Sequence, residues 1–170
     1  MTRILNIVGC KNAGKTRLVE LLIPLLQSPG LRVGTLKHTE HNMFQWDREG
    51  TDTYRHCSAG SEVSGIFGRS SFAVNINRSN SPEPEVDAIV RLFYADTDLV
   101  LIEGCKTHSS LKIEVCRPNF TDRAVVDESE LLATYGERIF NYDVVHFAYG
   151  EENGLAQHIV TNLNRLAQVV

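Results

Sequence analysis

Ile4-Leu5-Asn6-Ile7-Val8-Gly9-Cys10-Lys11-Asn12-Ala13-Gly14-Lys15-Thr16 is the stretch that decides the fold of this chain. Gly9 to Thr16 fit the phosphate-binding loop, G-x-x-x-x-G-K-[ST], with no mismatch. Average residue frequencies give a chance match in a chain of this length odds of roughly 1 in 200. The flanks agree with the motif. Ile4 to Val8 form an apolar run that reads as a strand. Behind the loop, Leu18, Leu21, Leu22, Leu25 and Leu26 recur at i, i+3, i+4, i+7 and i+8, the spacing of one helix face. Strand, glycine loop, helix is the setting the motif requires.

The chemistry of such a loop follows from its backbone. Two glycines allow a tight turn that points several N–H groups at one anion. The helix beginning near Gly14 adds the positive end of its dipole. Lys15 is expected to reach the β- and γ-phosphates, and the Thr16 hydroxyl to ligate Mg²⁺. The candidate nucleotide contacts in this segment are Gly9, Lys11, Asn12, Ala13, Gly14, Lys15, Thr16 and Arg17. The loop by itself chooses no base and does not say whether a phosphate is hydrolysed or transferred.

The chain has 170 residues, one domain's worth, and a single nucleotide-binding domain over 1–170 is the expectation. Hydrophobic residues make up 42% and charged residues 22%, as in ordinary globular proteins. Lys+Arg 17 against Asp+Glu 21 gives −4, and no basic run stands out, so a nucleic-acid surface is not expected. No apolar run approaches the roughly 18 residues of a membrane helix. No signal peptide is visible before the first strand, so a cytoplasmic location is expected. Cysteines stand at 10, 57, 105 and 116 without a C-x-x-C pair, which argues against zinc and thioredoxin-like chemistry. Cys10 lies within the loop and reads as a small loop residue, with a thiol activated by the helix N-terminus as the alternative.

Periodicity predicts a strand at 3–8, a helix at 15–27 stopped by Ser28-Pro29-Gly30, and a strand at 31–36. A polar loop at 39–50 and a short helix at 51–59 follow. Strands at 61–67 and 71–76 read as a hairpin around Gly68-Arg69-Ser70. A polar linker runs from Asn75 to Pro84, and Val86, Ile89, Val90 and Phe93 mark a helix. Leu99-Val100-Leu101-Ile102 predicts a buried strand. Lys112-Ile113-Glu114-Val115-Cys116 alternates and predicts a strand with one wet face. Late strands are expected at 131–134 and 144–148. Leu155, Ile159, Leu163 and Leu166 make the stripe of a closing helix. The alternation of strands and helices predicts an α/β protein: a P-loop NTPase fold with a mostly parallel sheet flanked by helices and a β-hairpin excursion. Ligands of such sheets collect at the carboxyl ends of the strands.

That rule brings two further segments toward the loop. Leu99 to Ile102 run into Glu103 and Gly104. A carboxylate at the end of an apolar strand orients Mg²⁺ directly or through water. Lys106 is in reach of the same anion. The second segment is Lys37-His38-Thr39-Glu40-His41-Asn42, followed by Asp47 and Asp52. Lys37 and His38 stand where the second strand exits. The i, i+3 spacing of His38 and His41 is not diagnostic of a metal site. A nucleotide-sensing loop in which Asp47 or Asp52 assists Mg²⁺ is the preferred reading. Trp46 is the single tryptophan and sits in this loop. The Asn-Lys-x-Asp pattern by which many GTPases read guanine does not occur, nor does an arginine-rich lid.

Five pieces in order carry a family resemblance. They are Gly9 to Thr16; Gly34-Thr35-Leu36-Lys37-His38-Thr39; Asp47-x-x-Gly50-x-Asp52-Thr53-Tyr54-Arg55 with Ala59-Gly60; Ile102-Glu103-Gly104-Cys105-Lys106; and Lys112-Ile113-Glu114-Val115. Spanning residues 4 to about 116, they resemble the molybdopterin-guanine dinucleotide biosynthesis protein B (MobB) family. The Lys-His-Thr and Asp-x-x-Gly-x-Asp segments make the match specific. The resemblance implies a homodimer that binds GTP with Mg²⁺ and is at most a weak GTPase. It also implies an accessory role beside the guanylyltransferase that attaches a guanine nucleotide to the molybdenum cofactor, with possible contact to the molybdopterin itself. In that picture Lys15 and Glu103 carry any catalysis, and Thr16, Glu103 and Asp47 surround the metal. The hairpin at 61–76 resembles the family's route to dimer contacts. Where the family has two histidines, an acidic residue, Pro and Lys, this chain has Glu40, His41, Asn42, Glu49 and Thr51, with less cationic capacity near the phosphate site.

Two other classes remain open from the residues. A small P-loop kinase would transfer the γ-phosphate to a metabolite and needs an acceptor-activating carboxylate, Glu103 or Asp47. A nucleotide-gated scaffold or metallochaperone would bind metal through His38 and His41.

Overall fold

The computed structural model describes residues 1–39, 47–76, 82–137 and 139–169. Contacts divide the chain into two compact units, Met1–Thr39 with Glu85–Val170, and Glu40–Pro84.

The first unit holds β1 (Thr2–Val8), α1 (Lys15–Gln27) and β2 (Val33–Lys37). After the second unit the chain resumes in it with α3 (Val86–Phe93), β5 (Leu99–Glu103), β6 (Lys112–Cys116), β7 (Leu131–Gly136), β8 (His146–Phe147), α4 (Glu152–Thr161) and β9 (Ala167–Val169). The sheet order is β2-β5-β1-β6-β7-β8, all parallel. The seventh strand, β9, pairs antiparallel with the start of β1. Successive strand residues face opposite sides of the sheet. Leu5, Ile7, Leu99 and Leu101 pack with Leu18, Leu22 and Leu26 of α1 and with Leu155 and Ile159 of α4. Ile4, Val100 and Ile102 form a second cluster with Val90 of α3. Burial on both faces is why Leu99 to Ile102 of β5 read as an unbroken apolar run, and why Ile4 to Val8 of β1 are interrupted only by Asn6.

The second unit contains α2 (Asp52–Ser58) and the hairpin β3 (Val63–Phe67) and β4 (Phe72–Ile76), paired antiparallel as the alternation predicts. The Thr51 hydroxyl caps α2 by accepting from the Tyr54 N–H at 3.3 Å. Among the described residues, no helix is long and apolar enough to cross a membrane.

Three expectations are corrected. The wet face of β6 does not exist: all five of its residues are buried. Lys112 is fully buried, and its ammonium donates to His108 O at 2.8 Å, Ser110 O at 3.2 Å and Glu130 Oε1 at 2.6 Å. Glu114 accepts from the Val125 N–H at 3.0 Å and the Tyr142 hydroxyl at 3.3 Å. Alternation here marks an internal polar network. The closing helix stops at Thr161, where the Asn162 amide bonds back to His158 O at 2.8 Å. Leu163 enters a short 3-10 turn, and Leu166 adopts extended backbone leading into β9, a strand the apolar stripe concealed. Finally, the strand expected at 144–148 is limited to two residues.

Burial of Lys112 makes Glu130 a stability determinant. Its second oxygen accepts from the Asp127 N–H at 3.2 Å. The hydrogen bond from Lys112 holds the Glu130 carboxyl below its ordinary range, against the opposing effect of burial. A lowered folded-state value gives stability that is present above the unfolded value and lost as pH falls through the folded one. Glu130→Gln is expected to destabilise the protein at neutral pH by about 2 kcal/mol. That is less than for a fully enclosed pair, because the Glu130 side chain is 38% exposed. Denaturant titrations of both proteins should converge at acid pH, and a pH-independent difference would refute the assignment.

Candidate functional site

The site begins where β1 gives way to α1. Gly9 has φ 148°, and a Cβ there would lie 2.6 Å from Val115 O on β6, so only glycine fits. The Ala13 N–H bonds to Cys10 O at 3.2 Å and closes the turn. Gly14, at φ 104°, caps α1 without any side-chain hydrogen bond, and no acidic residue occupies the first turn. The first-turn N–H groups therefore keep their capacity for an external acceptor, and the helix dipole is not offset by a nearby carboxylate. The Lys15 ammonium folds back over this turn, donating to Gly9 O at 3.0 Å and Cys10 O at 2.8 Å.

Parallel pairing brings the other charged residues to the same edge. β5 lies between β1 and β2, with Ile7 beside Glu103 and Lys37 beside Glu103. Glu103 Oε1 accepts from the Thr16 hydroxyl and from the Lys37 ammonium, each at 2.8 Å. The Glu103 side chain is 12% exposed, whereas that of Lys37 is 65% exposed. Behind Glu103, Gly104 turns at φ 95° with its N–H bonded to Ile7 O at 3.0 Å. The His38 N–H bonds to Glu103 O at 2.9 Å, which fastens the exit of β2 against β5.

Burial lowers the pKa of Lys15 from its ordinary value. Glu103 opposes this, while the positive charges of Lys106 and Lys37 add to the lowering. Three ammonium groups thus act together around one carboxylate, and the cluster is short of an anion. Thr16 and Glu103 present two hard oxygen donors side by side. That donor set suits Mg²⁺, which keeps waters and takes phosphate oxygens for its remaining positions.

Lys15, Thr16, Lys37 and Glu103 therefore converge, and the charge of Lys106 acts on Lys15. Gly9, Asn12, Ala13 and Gly14 shape the turn, and Asn12 itself adopts φ 64°. Lys11 is exposed. Arg17 pairs with Glu20 at 3.4 Å along the surface of α1. Cys10 Sγ is 3.8 Å from both Asp122 Oδ1 and Arg123 O. In the second unit, Asp47 accepts from Arg48 N–H at 2.7 Å, Thr51 Oγ1 at 2.9 Å and Thr53 Oγ1 at 2.5 Å. The Thr53 bond, above all, lowers its pKa against the opposing effect of burial, with the Thr51 and Arg48 bonds adding to the lowering. Asp52 is 3.9 Å from Arg55 in the first turn of α2. His41 and Trp46 lie outside the described residues. Among the described residues, no three His, Cys, Asp or Glu side chains group as a metal site.

Sequence reasoning missed the chain that leaves β6. Arg117 Nη1 donates to Asn12 O at 3.3 Å, and its guanidinium lies 4.7 Å from the centre of the Phe120 ring. A polar run following a strand carries no periodicity, and only the carboxyl-end rule could have singled it out.

Sheet order, loop and cluster define a phosphate-binding-loop α/β protein. The chain belongs to the MobB family: the family model for molybdopterin guanine dinucleotide synthesis protein B matches residues 4–136. The molybdopterin-guanine dinucleotide biosynthesis adapter protein of Haemophilus influenzae is 38% identical over 120 residues, which are 69% of this chain and 65% of that protein, slightly under two thirds of its length. The adapter protein of Escherichia coli is 28% identical over 163 residues, covering 94% of this chain and 93% of its own. The crystal structure of Bacillus subtilis MobB matches with a TM-score of 0.74 at 23% identity, over 95% of this chain and 97% of that one, and establishes the likeness in fold.

The lowered pKa of Lys15 sets a sign for anion binding. A bound polyphosphate favours the charged ammonium, so binding takes up a proton at alkaline pH, and affinity falls as pH rises through the free-protein value. Calorimetry with inorganic tripolyphosphate in buffers of different ionisation enthalpy measures that uptake. Lys15→Ala should abolish both binding and uptake, and wild-type affinity in that variant would remove Lys15 from the site.

Proposed function

We propose that this chain is a cytoplasmic GTP-binding adapter in the synthesis of the guanine dinucleotide form of the molybdenum cofactor. It acts as a homodimer beside the guanylyltransferase. The observation that carries the reading is the convergence of Thr16 and Lys37 on Glu103 beside the Lys15 loop. Membership in the MobB family and the names of the Haemophilus and Escherichia relatives support the pathway. On this reading the loop N–H groups and Lys15 hold the β- and γ-phosphates. Thr16 and Glu103 would hold Mg²⁺, which would supply positive charge to the phosphates. Lys37 and Lys106 meet the terminal phosphate.

The same arrangement accounts for an adapter with at most weak GTPase activity. Lys15 would stabilise charge on the phosphoryl group, and an ion held by Thr16 and Glu103 would add to it. Glu103, already committed to Thr16 and Lys37, serves as a positioning group for the ion and not as a free base toward water.

Calorimetric titration with GTP and ATP, each with and without Mg²⁺, tests the proposal. The expected result is Mg²⁺-dependent GTP binding at least tenfold tighter than ATP, a difference of about 1.4 kcal/mol. Glu103→Gln should keep most nucleotide affinity and lose most of its dependence on Mg²⁺. Equal or tighter ATP binding would overturn the GTP assignment and favour a kinase, which a metabolite-dependent burst of ADP would then reveal.

A further inference from the structure

The cluster around Glu103 gives the site a direction. Lys37 on β2 and Glu103 on β5 lie on one side of β1, and Lys106 follows β5. A nucleotide whose terminal phosphate and metal sit there must extend its nucleoside toward the other side of β1. The strands on that side are β6, β7 and β8, in that order. Their carboxyl ends lead to Arg117, Glu137 and Tyr149 respectively.

These three residues are held together by one carbonyl. Cys116 O, at the last residue of β6, accepts the Glu137 N–H at 3.0 Å and the Tyr149 hydroxyl at 3.1 Å. Arg117 is the next residue, and it reaches back to Asn12 O of the phosphate loop. Gly136 turns the chain at φ 108° just before Glu137. The Tyr149 ring is steadied edge-on against Tyr135, at 5.5 Å and 86°. Tyr149 remains 48% exposed and Phe120 40% exposed. The charges of Arg117 and Glu137 both act on the Tyr149 phenol. Glu137 is exposed, and among the described residues its carboxylate has no hydrogen-bond or ion-pair partner. A guanidinium on an aromatic ring, a second exposed ring and an uncommitted carboxylate together match the needs of a purine. The rings and guanidinium offer stacking surfaces. A carboxylate is acceptor-only, which suits the two adjacent donors of guanine, N1–H and the 2-amino group, and no such pair of donors exists on adenine.

We infer that the base binds beyond the carboxyl ends of β6, β7 and β8, stacked on Arg117, Phe120 and Tyr149, with Glu137 reading the guanine edge. The inference rests on the nucleotide reading above and supplies the base recognition that reading lacks. It also explains how guanine is selected without an Asn-Lys-x-Asp pattern.

The test compares GTP, inosine triphosphate, xanthosine triphosphate and inorganic tripolyphosphate on the full chain with Mg²⁺. Wild type should prefer GTP to inosine triphosphate, which lacks the 2-amino group. Glu137→Gln should lose about 10- to 100-fold in GTP affinity, the range of one good bidentate pair. It should retain tripolyphosphate affinity and gain xanthosine triphosphate, because the Gln amide can donate to the xanthine 2-oxo group. Tyr149→Ala should weaken all three nucleotides while tripolyphosphate binding holds. Unchanged GTP affinity in Glu137→Gln, or an equal fall for GTP and tripolyphosphate with no gain for xanthosine triphosphate, overturns the assignment of Glu137. Wild type that binds tripolyphosphate but does not distinguish the nucleotides overturns this inference and leaves the phosphate site standing. Wild type that binds none of the four refutes the nucleotide reading itself.

Discussion

One carboxylate oxygen joins the three segments on which the proposed phosphate site depends. Glu103 Oε1 takes a proton donor from Thr16 on α1 and another from Lys37 at the end of β2. These residues are far apart in sequence and meet because β5 enters the sheet between β1 and β2 in parallel register. A register slip of one residue on β5 would turn Glu103 to the opposite face. Apolar residues on both faces of β5 oppose such a slip, since Val100 and Ile102 serve one core cluster and Leu99 and Leu101 the other. The packing of four apolar residues thus sets the position of the charge that follows them.

The same logic explains why the interior tolerates a fully buried lysine. Lys112 on β6 finds two carbonyls and the Glu130 carboxylate. Glu114, two residues on, has its carboxyl pushed up by burial, with hydrogen bonds from Val125 N–H and the Tyr142 hydroxyl working against that rise. A buried pair of this kind is weak evidence for added stability. Its geometric effect is plainer: Glu130 and Val125 tie the long β6–β7 connection to the strand beneath it. That connection carries Asp122 and Arg123 beside Cys10 of the phosphate loop.

What could be read from the sequence follows from where local signals coincide with tertiary ones. The loop, its strand and its helix were legible because glycine placement, apolar run and leucine spacing all point to one structure. Glu103 was legible because an apolar run needs a charged end to leave the sheet. Lys112 and Glu114 misled because alternation reports the pleat of a strand and not what covers its polar side. Leu163 and Leu166 continued a helical spacing past Asn162, where the helix ends with the Asn162 side chain bonded back to His158 O. Glu137 and Tyr149 left no local trace, since their proximity depends on the order of β6, β7 and β8 and on the single carbonyl of Cys116.

Charge arithmetic connects the two ends of the proposed site. Lys15, Lys37 and Lys106 around Glu103 leave a net charge of +2 in the phosphate cluster. A nucleoside triphosphate near neutral pH carries about four negative charges, of which Mg²⁺ cancels two. The metal complex therefore balances the cluster, and the metal-free nucleotide does not. On the proposed reading, binding would also replace existing contacts: Lys15 would leave the carbonyls of Gly9 and Cys10, and Lys37 would share Glu103 with an ion. Because those contacts are exchanged and not simply added, the phosphate cluster yields less net affinity than its charge suggests. The remainder has to come from the nucleoside, and the exposed rings and carboxylate across β1 are placed to provide it. On this account the phosphate cluster holds the triphosphate, the base decides which one, and the two contributions come from opposite sides of β1.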